Sequence, residues 1–111
     1  MTVLTIRAHK RYAVRQTVTL RRPGEAPASG LMIELSSEGI RISNLGRPGL
    51  TIGEPVTVEI DELTFNGRIR WAHDGVAGVR LEQALFTGQL NDLVARGRGQ
   101  SPASDIRRYG T

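Results

Sequence analysis

Hydrophobic residues alternate with polar ones along most of this chain, from residue 14 to residue 82, and Gly, Pro, Asn, Asp and Ser gather wherever the alternation breaks. Side chains that change face at every residue belong to strands with one buried face; a 3.6-residue helical period cannot satisfy that pattern. Val14, Gln16, Val18 and Leu20 fall on one face of a first strand, with Arg15, Thr17, Thr19 and Arg21 on the other, before the turn-rich RRPGEAPASG. Leu31, Ile33 and Leu35 are then expected inward, with Met32, Glu34 and Ser36 opposite, and SSEG turns the chain into Ile40 and Ile42. After NLGRPGLTIGEP come Val56, Val58 and Ile60, a turn at Asp61 and Glu62, and a long run placing Leu63, Phe65, Gly67, Ile69 and Trp71 on one face. WAHDG reads as a hairpin turn, and VAGVRLE closes the series with Val79 and Leu81 inward. Six short antiparallel strands predict a mainly β fold, a small closed barrel, because closure leaves no strand edge exposed.

The period changes once. Phe86, Leu90, Leu93 and Val94 fall at helical spacing, which predicts one C-terminal amphipathic helix over residues 85–95 packed on the barrel. The expected organisation is a flexible basic segment at 1–13, the barrel and helix at 14–95, and a disordered basic tail at 96–111, where GRGQSPASDIRRYGT has no periodicity.

The 111 residues suit one domain and include no Cys and only two His, His9 and His73. Disulfides, thiolate nucleophiles and the common zinc sets are therefore excluded, no metal site is expected, and a cytoplasmic location is the expectation. No apolar run is long enough for a membrane span, so no membrane insertion is expected. Catalysis has little to rest on. The two His lie in a polar segment and a turn, Asp61 and Glu62 are adjacent in a turn and expected to point apart, and neither a GxxxxGK[ST] nor a GxGxxG phosphate loop occurs. The chain reads as a non-enzyme.

Net charge is +4, but it is unevenly placed. Residues 1–24 carry +6 without one acid, residues 25–95 carry −5, and residues 96–111 carry +3. Fourteen of the fifteen basic residues are Arg, whose planar fork suits phosphates and guanine edges. An acid-free, Arg-rich start on an acidic body points to a local anion site. A general nucleic-acid footprint is disfavoured by that acidic body and by only five aromatic residues, two Phe, two Tyr and one Trp, so no DNA or RNA partner is expected.

Two motifs sharpen the anion site. Arg11-Tyr12-Ala13-Val14-Arg15 is an RxxxR before the first strand, and Glu34-Leu35-Ser36-Ser37-Glu38-Gly39 ends the second. With Gly67-Arg68-Ile69-Arg70-Trp71 and Gly78-Val79-Arg80-Leu81 downstream, the ordered set resembles the PilZ domain, whose pattern is RxxxR followed by [DN]xSxxG. The resemblance spans residues 9 to about 95. It implies a six-stranded barrel with a C-terminal helix, and binding of the bacterial second messenger cyclic di-GMP by Arg11, Arg15, Glu34, Ser36 and Gly39, with Arg41 as a secondary candidate. Arg11 and Arg15 would stack on guanine and fork onto phosphate, Glu34 and Ser36 would meet a base edge or phosphate, and Gly39 would turn the backbone and permit close approach. Glu34 departs from the family's Asp or Asn, and its extra methylene displaces the carboxylate. Two outputs stay open: a ligand-gated receptor that signals to a separate downstream protein in motility, adhesion or exopolysaccharide control, and a protein-interaction adaptor with weak or no ligand binding. Either could act as monomer or homodimer. Trp71, in the inward set, is expected in the core or at the barrel rim.

Overall fold

The structure is a computed structural model that describes residues 10–46 and 49–99. Of the flexible segment expected at 1–13 only residues 10–13, and of the tail expected at 96–111 only residues 96–99, lie within that range.

Six antiparallel strands form a closed barrel in the order β1-β2-β3-β6-β5-β4. They are β1 (Tyr12–Arg21), β2 (Ala28–Leu35), β3 (Gly39–Ser43), β4 (Pro55–Ile60), β5 (Leu63–His73) and β6 (Val76–Leu81), followed by the helix α1 (Thr87–Gly97). The core is drawn mostly from the alternating residues, with Val18, Leu20, Met32, Leu35, Ile42, Val58, Ile60, Ile69, Ala77 and Val79 at most 2% exposed. The β5–β6 hairpin turns through Asp74 and Gly75, both at positive φ (51° and 78°). That conformation favours an Asp-Gly pair and matches the twist of the strands it joins.

Three bulges break the simple alternation. An extra residue enters β1 between Ala13 and Gln16, β2 between Met32 and Glu34, and β5 between Ile69 and Trp71. Each resets which face the following residues occupy. In β2 the consequence is that Met32 and Leu35 are both fully buried while Leu31 and Ile33 are only partly so, a correction to the expected inward set.

α1 begins two residues later and ends two residues later than the 85–95 predicted. Leu93 is buried, and Leu90 and Val94 pack against the core, but Phe86 is 68% exposed. It precedes the helix as its cap position, so it does not share the helical stripe; the buried neighbour is Leu85, whose N–H donates to the Ser37 carbonyl at 2.7 Å. Asp61 and Glu62 do not diverge either. Both accept from Arg96, at 3.2 Å and 3.1 Å, and Arg96 also donates to Asp92 at 2.9 Å. The β4–β5 turn, with Asp61 at φ 55°, is thereby tied to the end of α1. Among the described residues no helix is long and apolar enough to cross a membrane.

Candidate functional site

The outer faces of β2, β3, β6 and β5 form an open cleft of about 190 Å³ next to the β2–β3 turn. Arg11, Glu34, Ser36, Gly39 and Arg41 line it, together with Glu38, Arg70, Trp71, Gly78 and Arg80.

Ladder register brings these side chains together. Glu34 lies opposite Arg41, Arg41 opposite Gly78, and Gly78 opposite Trp71, so three strand pairings place one row across the outer surface. The Glu34 carboxylate accepts from Arg11 at 3.3 Å and lies 4.0 Å from Arg41 Nε. The two arginine side chains are each 41% exposed, so water screens these contacts and a bound anion can replace them at small cost.

Trp71 is the residue that alternation misassigns. The bulge at Arg70 moves it out of phase with Ile69 and onto the outer face, half-buried, with the Arg41 guanidinium 5.2 Å from its ring centroid. Its indole lies against Gly78, where any Cβ would overlap the ring. A glycine opposite a tryptophan was the available signal, but it decides the face only once the bulge is known. Arg70 and Arg80 were likewise missed, although both stand in the downstream segments that resemble the family pattern.

The β2–β3 turn is built around Ser36. Its Oγ accepts from the N–H groups of Glu38 (3.3 Å) and Gly39 (3.1 Å), and its own N–H donates to the Gly39 carbonyl at 2.9 Å. The hydroxyl thus shapes the turn that edges the cleft. Gly39 is needed for closeness rather than for a special dihedral: its φ is not positive, and a Cβ would stand 3.0 Å from the Val79 carbonyl oxygen of β6.

Arg15 is not drawn into the cleft. It lies within β1, beside the bulge, and its side chain is exposed. The strand starts at Tyr12, which pairs with Leu35, so Arg15 sits on a formed strand and not on a free N-terminal segment.

Four arginines (Arg11, Arg41, Arg70 and Arg80) against two glutamates (Glu34 and Glu38) make the cleft cationic. An indole ring, forked donors and carboxylate acceptors suit a ligand with a flat ring, edge N–H groups and negative charge. Among the described residues no cluster of His, Cys, Asp or Glu could hold a metal ion.

The PilZ domain family model matches residues 5–96, which covers both motifs and every strand and nearly all of α1. The chain belongs to the PilZ domain family. PilZ domains are binding and adaptor modules. A similar solved fold is the structure of the Bacillus subtilis inhibitor of motility (MotI/DgrA), with a TM-score of 0.57, 17% identity, and coverage of 96% of this PilZ chain and 52% of that one. The chain therefore spans about half the length of that neighbour. The search of curated proteins gives no match.

Proposed function

We propose that this PilZ domain is a receptor for cyclic di-GMP that holds the dinucleotide in the cleft between the β2–β3 turn and Trp71 and passes its occupancy to a separate partner protein. The observation that carries the reading is the meeting of two motifs distant in sequence. Arg11 from the RxxxR and Glu34, Ser36 and Gly39 from the second motif line one cationic cleft. Guanine has a face for Trp71 and Arg41 and an N1–H/N2–H edge for Glu34, while the phosphates suit the arginine forks. Arg15 would join from β1, the strand paired with β2. Titration calorimetry with cyclic di-GMP tests this: Arg11→Ala and Arg15→Ala are each expected to weaken binding by about tenfold or more, the loss of a charge-assisted hydrogen bond. No heat from the wild type at high micromolar ligand would sink the reading.

A second reading has an observation of its own. Glu34 already engages Arg11, lies beside Arg41, and has one methylene more than the family's Asp or Asn; Arg15 does not line the cleft. These features favour an adaptor with weak or no ligand binding. Glu34→Asp separates the two: tighter binding marks a working but detuned site, and continued silence favours the adaptor. Because the solved neighbour is an inhibitor of motility, motility is the first process in which to seek the partner, ahead of adhesion or exopolysaccharide production.

A further inference from the structure

The front half of β1 is held differently from its back half. Its ladder with β4 covers only Thr19–Arg21, against Glu59, Val58 and Thr57. Among the described residues, then, Tyr12–Val18 has β2 on one side and no paired strand on the other. The end of α1 packs on this same stretch. Gly97 rests so close to β1 that a Cβ on it would come within 2.6 Å of Val14 Cβ. Arg98 Nε donates to the Ala13 carbonyl at 3.0 Å, and its guanidinium lies 5.9 Å from the centre of the Tyr12 ring. The Arg96 contacts with Asp92, Asp61 and Glu62 anchor this end of the helix to the β4–β5 turn.

Tyr12, Ala13 and Val14 are the three residues between Arg11 and Arg15. From this geometry we infer that Gly97 and Arg98 are positioning residues for the arginine pair. They touch no ligand; they fix the backbone on which Arg11 and Arg15 are mounted, over the stretch of β1 that has no ladder with β4. The inference rests on the proposed cyclic di-GMP site. A carbonyl held by Arg98 and a Val14 backed by Gly97 leave less of the segment to be ordered when ligand arrives, which is the usual benefit of preorganisation.

The experiment combines calorimetry and amide hydrogen exchange on the full chain. Arg98→Ala is expected to weaken cyclic di-GMP binding about three- to tenfold, the range for one lost hydrogen bond. In the free protein it is expected to speed exchange at residues 12–15, with the difference shrinking at saturating ligand and the melting temperature staying close to that of the wild type. Arg98→Lys keeps a charged donor without the planar fork and is expected to recover part of the affinity. Gly97→Ala, which pushes on Val14, is expected to repeat the Arg98→Ala exchange pattern. Unchanged exchange at 12–15 in Arg98→Ala overturns the positioning role, as does wild-type affinity in that variant. If the wild type itself shows no cyclic di-GMP binding, it is the functional reading that fails. The free-protein exchange then decides on its own whether the helix end fixes this segment.

Discussion

Gly78 shows how one missing side chain can set a surface. With only hydrogen at that position, the Trp71 indole lies against the backbone of β6, with the Arg41 guanidinium 5.2 Å from its ring centroid. Gly78→Ala is expected to lift the indole and weaken cyclic di-GMP binding by about tenfold or more, the usual scale of lost base stacking on an aromatic ring, read by calorimetry. At Gly39 the conflict is with a carbonyl instead of a ring, 3.0 Å from the position a Cβ would take. Ser36→Ala removes the acceptor shared by two backbone N–H groups and is expected to cost about 1–3 kcal/mol in urea denaturation, because those donors lie in a partly buried turn. Ser36 and Gly39 were singled out by the resemblance of residues 34–39 to the family pattern, and Ser and Gly there also read as a turn. Ser36 organises the turn through bonds made within residues 36–39, but that Gly39 serves strand approach depends on the Val79 carbonyl of β6, which local sequence does not encode.

Among the elements, the strands were legible because burial on one face imposes a period of two, and the bulges were not, because an extra residue resembles any other residue in the alternation. β2 makes the point. Its sequence offers Leu31, Ile33 and Leu35 as one apolar face, yet the bulge buries Met32 with Leu35 and leaves Ile33 partly exposed. Met32→Ala is accordingly expected to cost about 2–5 kcal/mol in urea denaturation, and Ile33→Ala clearly less. The β5 bulge has the same origin and hid Trp71. α1 was legible from Leu90, Leu93 and Val94, but its clamp was not: Arg96 gathers Asp61 and Glu62 from a turn more than thirty residues away. The hydrogen bond from Arg96 holds the Glu62 carboxyl below its ordinary value of 4.5. A carboxylate lowered in the folded state contributes above its unfolded value, and that contribution is lost as pH falls through the folded one. The stability difference between wild type and Glu62→Gln is therefore expected to be present at pH 7 and to close as pH falls below 4.5.

Over the whole molecule, charge and closure act together. The sheet closes on itself as a barrel, and residues 25–95 carry more acid than base, so the arginines matter by local grouping and not by total. Duplex DNA is expected to bind weakly, if at all, at physiological ionic strength in a filter-binding or gel-shift assay; tight, steeply salt-dependent binding would overturn this view of the charge. The closed architecture was legible from six alternating segments, while the location of the cleft was not, since it depends on β6 lying between β3 and β5 and bringing Gly78 between Arg41 and Trp71. That placement has an optical consequence. The chain has a single tryptophan, and it faces the cleft. Its ultraviolet emission comes from the site and nowhere else, so quenching or a colour shift would register occupancy in the unlabelled protein, molecule for molecule, without a background from the core.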